Sequence, residues 1–201
     1  MMGAIMSAEV RNILRVYRMA TPQEQAQGGV WYAKAKTDAQ AIANLHDVPL
    51  HIVVGVVAAL SPNNRWERNI KDASNMIAIF LRGDPVDVCK PCTYTKMRDK
   101  AWSILEQIPE GEAGVLEILN GQKIVSFFNN IMGHDNCTID GHAYNIARGK
   151  RVTLTDVETT MGKAVYKDMQ AAYYRAAKRV GIRVYELQAV TWVVWKRIHN
   201  I

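Results

Sequence analysis

Apolar residues recur at helical spacing along almost the whole chain. Between Ser7 and Arg18, the residues Val10, Ile13, Leu14 and Tyr17 share one face, as in an amphipathic helix. Thr21-Pro22-Gln23-Glu24 reads as a capping box with proline at the first helical position. Thr37-Asp38-Ala39-Gln40 reads as a second start, leading into Ala41, Ile42 and Leu45. Pro49 opens the most apolar stretch, Ile52–Leu60, which has the pattern of a buried central helix.

Polar turns then cut the chain into further helices. Ser61-Pro62-Asn63-Asn64-Arg65 interrupts the apolar run, and Asn64 with Glu67 reads as a capping box for a helix ending near Leu81. Gly83-Asp84-Pro85 stops it. Thr93–Gln107 follows, with Met97, Ala101, Ile104 and Leu105 inward, and then a turn at Ile108-Pro109-Glu110-Gly111. Val115–Leu119 and Lys123–Met132 are short helical segments joined through Asn120-Gly121, a helix–hairpin–helix pattern. After a loop at Gly133–Cys137, Asp140 is a natural N-cap for Gly141–Arg148. Thr155-Asp156-Val157-Glu158 is expected to cap a segment that breaks at Gly162 and stops at Gly181. Glu186–His199 closes the chain, with Leu187, Val190, Val194 and Ile198 as core candidates. Ile182–Tyr185 is too short to count as a strand. The expected class is all-α, in a single helical domain over residues 1–201 or two closely packed helical lobes.

Composition narrows the function classes. The 201 residues carry 49% hydrophobic and 22% charged side chains, values of a globular chain able to bury a core without disulfides. No apolar run approaches the roughly 18 residues of a membrane span, and Met1–Met6 lacks the basic start and apolar core of a leader peptide. Three cysteines without regular spacing point to a reducing, cytoplasmic compartment. Cys89-Lys90-Pro91-Cys92 is half of a zinc site, but zinc needs four ligands and the sequence supplies no matching half, so no metal is expected. The net charge of +6 is uneven: from Arg148 onward there are 11 Lys/Arg against 4 Asp/Glu, and before it 14 against 15. A basic quarter on a neutral body suggests an anionic partner, nucleic acid first; a solvated helix face is the alternative. Within that quarter Tyr166, Tyr173 and Tyr174 interleave with Lys163, Lys167, Arg175, Lys178 and Arg179, a pattern able to follow a phosphate backbone, although an amphipathic face explains the tyrosines equally.

Four segments, in order, resemble the helix–hairpin–helix DNA glycosylase superfamily of endonuclease III-like enzymes. They are Val57-Ala58-Ala59-Leu60-Ser61-Pro62-Asn63, Tyr94–Ala101, Gly121-Gln122-Lys123 and Ile139-Asp140-Gly141-His142, and they cover roughly residues 50–150. The resemblance extends to small phage-type members, which implies the cytoplasm of a host cell if the chain is phage-encoded. It implies a two-lobed all-α bundle, DNA as partner, and excision of a damaged or modified base, with a lysine-dependent lyase step in some members. Lys123 falls on the family's nucleophile and Asp140 on its catalytic aspartate. Asn63 falls on the residue that fills the gap left by a flipped base, with Asn64 and Arg65 beside it. Asn120, Gly121 and Gln122 fall on the phosphate-gripping hairpin, and His142 follows Asp140 as a hydrogen-bonding partner in the turn. Two departures stand out. Leu119 occupies the place of the hairpin's first glycine, which weakens the phosphate grip and any cation held by hairpin carbonyls. No cysteine follows Cys137, so no iron–sulfur cluster is expected.

The chemistry suits these residue types. Breaking an N-glycosidic bond builds positive charge on the sugar, which a carboxylate stabilises, and a helix N-terminus favours negative charge there. A lysine can attack the sugar carbon to give a Schiff base, but only as the neutral amine, which demands partial burial. Without the resemblance, Lys123 reads as a solvated side chain and Asp140 as a plain cap. Asn63 and Asn64 read as helix caps, and Phe127, Phe128, Trp192 and Trp195 as packing residues. Two rival functions remain: a transferase modifying hypermodified phage pyrimidines on the same scaffold, and a DNA-binding helix–hairpin–helix module without catalysis.

Overall fold

A computed structural model describes residues 6–201, and for residues 158–160 the backbone only. The leader-peptide reading of Met1–Met6 falls almost wholly outside the described residues. The protein is all-α: among the described residues there are α-helices, one 3-10 turn at Val86–Val88 and no strand. Among the described residues no single helix is long and apolar enough to cross a membrane. The chain divides into two compact units: residues up to Tyr32 together with His134–Ile201, and Ala33–Gly133.

The first unit is built from α1 (Ala8–Arg18), α2 (Pro22–Gly29), α9 (Gly141–Arg148), α10 (Leu154–Thr160), α11 (Lys163–Val180) and α12 (Val184–His199). Ser7 caps α1, and the Thr21/Glu24 capping box of α2 forms as the sequence predicts. Ile13, Ile139, Ile146, Tyr173, Leu187 and Val194 are fully buried in one core. A Cβ on Gly28 would lie 2.6 Å from the Val190 backbone, so α2 and α12 approach almost backbone to backbone. Arg197 clamps the same pair, with Nε 2.6 Å from Glu24 Oε1. That guanidinium, followed by the Thr21 backbone N–H, holds the Glu24 carboxyl below its ordinary value.

The second unit is organised on α4 (Leu50–Leu60), whose residues from Ile52 to Leu60 are all buried. It is wrapped by α5 (Trp66–Leu81), α6 (Thr95–Gln107), α7 (Gly111–Leu119) and α8 (Gln122–Met132). Gly55 lets α7 approach, since a Cβ there would lie 2.6 Å from Val115 Cγ1. Phe128 is fully buried, as its place in the apolar pattern predicts. Two lysines cap helix C-termini through carbonyls the ladder leaves open: Lys36 Nζ lies 2.8 Å from Met132 O, and Lys100 Nζ 2.5 Å from Leu119 O.

Three expected helix starts differ. Thr37 does not begin a helix: α3 runs unbroken from Trp31 to His46. The Thr37 hydroxyl donates back to Ala33 O at 3.1 Å, the mid-helix habit of threonine, and Asp38 accepts the Trp66 indole N–H at 3.0 Å. Asn64 and Glu67 form no capping box. Arg65 is the N-cap of α5, without a side-chain bond, because Asn64 Nδ2 is already held 3.0 Å from Asp72 Oδ2. The cap of α10 is Thr153 rather than Thr155, with its hydroxyl accepting from Asp156 N at 3.2 Å; the Glu158 side chain lies outside the described residues.

Candidate functional site

Asp140 stands at the junction of an irregular loop, residues 134–139, and helix α9. A loop whose second half is buried must satisfy its backbone groups from side chains, and α11 supplies them. Tyr174 Oη donates to Asp135 O at 2.9 Å, and Gln170 Nε2 to Cys137 O at 2.8 Å. Ile139 N donates to Tyr166 Oη at 3.1 Å, and Tyr173 Oη to Ala143 O at 3.2 Å. The Asp135 carboxylate accepts from Val184 N at 3.2 Å. Tyr32 closes the far side: its hydroxyl donates to Gln188 Oε1 at 3.1 Å and shares a hydrogen bond with the Thr138 side chain. The buried glutamine of the last helix therefore acts, through Tyr32, on Thr138, just ahead of Asp140.

The carboxylate itself is half-buried. Its Oδ1 accepts from Ala143 N at 2.7 Å, the bond of an N-cap. Among the described residues, its Oδ2 has no hydrogen-bond donor and no cation is paired with the group. Its near neighbours are groups that stay neutral. Burial pushes the Tyr32 and Tyr173 phenols and the Cys137 thiol upward, with Asp140 among the charges that add to the effect. A single uncompensated carboxylate oxygen on a rigid turn is an arrangement that stabilises positive charge developing beside it. His142, on the first turn of α9, is half-buried and forms no hydrogen bond among the described residues; it is not tied into the turn as the sequence suggests. It adds to the field at His199, whose imidazole is pushed down by burial first, then by Arg151 and His142.

The remaining candidates belong to the second unit. Helix α7 ends on Asn120 in the left-handed conformation, φ 40°, and α8 starts two residues later after Gly121. The N-cap glycine offers α8 no side-chain cap, so the amides of Lys123 and Ile124 are open at its N-terminus. The turn is braced by Lys100, whose ammonium also reaches Asn120 Oδ1 at 3.2 Å. Burial, then Lys96, pushes this amine down. Nothing in the sequence marks Lys100 beyond its place on the helix preceding the hairpin. Lys123 is exposed and makes no hydrogen bond among the described residues, so the partial burial that nucleophilic attack demands is not supplied within its own unit.

The turn after α4 is a stapled loop. Thr93 Oγ1 donates to Pro62 O at 2.8 Å, and Asp72 Oδ2 gathers Cys92 N at 2.8 Å with the Asn64 amide. Asn63 is the exposed tip, at φ 56°, a conformation asparagine tolerates better than most residues. Asn64 is committed to the staple, and Arg65 is exposed. Trp66, edge-on to Phe127 at 6.3 Å, braces the turn from behind. The CxxC lies in the same staple: Cys89 is buried, Cys92 exposed, and no group of three metal-binding side chains occurs among the described residues. Asp140 and His142 thus fall in one unit, and Lys123, the hairpin and the Asn63 turn in the other.

These features define an all-α protein with a braced helix–turn–helix hairpin and a rigidly held carboxylate at a helix head. The chain belongs to the DUF7178 family, a family of unknown function that matches residues 2–199. Comparison with curated proteins and with solved structures gives no match.

Proposed function

We propose that this protein is a DNA glycosylase-like enzyme that excises a damaged or modified base, with Asp140 as its catalytic carboxylate. The observation that carries the reading is the Asp140 turn. A buried set of tyrosine, glutamine and threonine side chains fixes it, while one carboxylate oxygen is left without a partner among the described residues. The bonds that the buried loop requires also hold that carboxylate in one place. Base excision also requires the nucleotide to leave the stack, and the exposed Asn63 tip with Arg65 suits the filling of the vacancy. The open amides at the head of α8 suit a phosphate. In this reading Asp140 stabilises the sugar cation as the base departs, and the attacking group is water rather than Lys123.

The exposure of Lys123 favours one second reading, a DNA-binding module without catalysis. Incubation with duplexes carrying a panel of modified bases separates them. Released base, with no borohydride-trapped protein–DNA adduct, is the expected result. An adduct lost in Lys123→Gln would restore the lysine to the chemistry. Tight binding with no release across the panel would leave the module.

A further inference from the structure

Helix α11 carries an exposed basic stripe whose lysines neither the hairpin nor the Asp140 turn uses. At 3.6 residues per turn, Lys163, Lys167, Tyr174 and Lys178 fall within about 60° of one another on the helix wheel and extend over about 22 Å. All four are exposed, and none of the three lysines is in an ion pair among the described residues. Arg175 and Arg179 flank the stripe, and the one acid of the helix, Asp168, lies on their side of it.

At its N-terminal end the placement works against the helix. The first turn of α11 contains no acid and begins with Lys163, at the end where the macrodipole disfavours a cation. Lys163 and Lys167 are like charges at i, i+4, which costs an isolated helix a further few tenths of a kcal/mol. Lys178, in the last turn, is favoured by the dipole; Lys163 and Lys167, held against these effects, are better explained by a partner than by solvation. The aromatics of the interleaved pattern do not serve as stacking platforms: Tyr166 and Tyr173 are buried, and Tyr174 spends its hydroxyl on Asp135 O. What remains is electrostatic. The stripe also has a fixed place, because Gln170 and Tyr174, on the same side of the helix, are the residues that hold the loop leading to Asp140.

We infer that the exposed face of α11, centred on Lys163, Lys167 and Lys178, is a binding surface for the phosphate backbone of DNA. It anchors the strand beside the Asp140 turn without reading sequence. The inference rests on the reading of the chain as a DNA-acting protein, and extends it to a segment outside the glycosylase resemblance. Three cations on one helical face meet one groove edge of a duplex, which presents a charge about every 1.7 Å of axis.

The test is the salt dependence of duplex binding by the full chain. It compares wild type with the triple variant Lys163→Gln/Lys167→Gln/Lys178→Gln. A control triple of equal charge, Arg15→Gln/Arg18→Gln/Lys71→Gln, removes exposed cations elsewhere. Removing one phosphate-binding cation lowers the slope of log K against log salt by about 1. The stripe variant is therefore expected to weaken binding equally on all sequences. Its affinity loss between 50 and 200 mM salt should shrink by about forty-fold, with its melting temperature no lower than that of wild type. The control should keep the wild-type slope. Equal slopes for the stripe variant and wild type overturn the inference while leaving the glycosylase reading intact. Equal losses in both triples reduce it to net charge and overturn it. Absence of duplex binding by wild type removes both, and stripe-dependent binding to vesicles of phosphatidylglycerol with no DNA binding reassigns the surface to a membrane.

Discussion

In the proposed reading Asp140 does two jobs with two oxygens, and the jobs can be separated. Oδ1 caps α9 through Ala143 N, a role asparagine performs about as well as aspartate; Oδ2, without a hydrogen-bond donor among the described residues, is the oxygen proposed to face a substrate. The turn depends as much on Tyr166 as on the aspartate, because Ile139 N has its partner in that hydroxyl inside a fully buried segment. Tyr166→Phe leaves this N–H without an acceptor, at a cost of about 1–3 kcal/mol. We expect a lower melting temperature by calorimetry and slower base release, with duplex affinity unchanged. At this scale the sequence is legible where chemistry is local. Asp140 as a cap follows from its neighbours alone. Lys100 and Tyr32 are not legible, because their partners lie 20 and 156 residues away and nothing near them in the chain announces the pairing.

At the scale of elements, the apolar period and the caps locate nearly every helix, since α4, α8, α9 and α12 are fixed by continuous patterns ended by turn residues. Two of the three misplaced starts have one cause. Thr37 and Asn64 have the right residue type for a cap, but other partners claim their side chains first, the Ala33 carbonyl and the Asp72 carboxylate. Packing between elements makes two further expectations. Gly28→Ala drives a methyl into the Val190 backbone, and such overpacking costs about 1–3 kcal/mol; thermal unfolding should show it, whereas Gly29→Ala, with open space around its Cβ, should not. The Glu24–Arg197 clamp makes stability depend on pH. The folded state holds Glu24 below its ordinary value, so the contribution is complete above about pH 4.5. It fades as pH falls through the lower folded value. Melting temperatures of wild type and Glu24→Gln should differ at pH 6 and converge in strong acid. A constant gap would contradict the linkage.

At the scale of the molecule, the sequence conveys the all-α class and the uneven charge, because both are sums over many residues. It offers two lobes as one option, but does not convey that one unit is made from both ends of the chain. That pairing joins α2 to α12 across most of the chain length, which no local pattern records. The same discontinuity gives the C-terminal quarter its role in the proposed chemistry. Residues outside the glycosylase resemblance, on α11 and α12, build the cradle of the Asp140 turn and present the basic face beside it. Resemblance to a motif makes Lys123 a candidate nucleophile; its exposure leaves the carboxylate chemistry of Asp140 as the better-supported route.

The central claim is that Asp140 is a catalytic carboxylate and not only a helix cap. The most direct measurement is the single-turnover rate of base release by Asp140→Asn beside its duplex affinity and melting temperature, on a base that wild type excises. We predict unchanged folding, affinity retained, and release slowed by at least about a hundredfold, in line with the loss of one electrostatic stabiliser. Release at the wild-type rate from a folded, DNA-binding Asp140→Asn protein would contradict the claim.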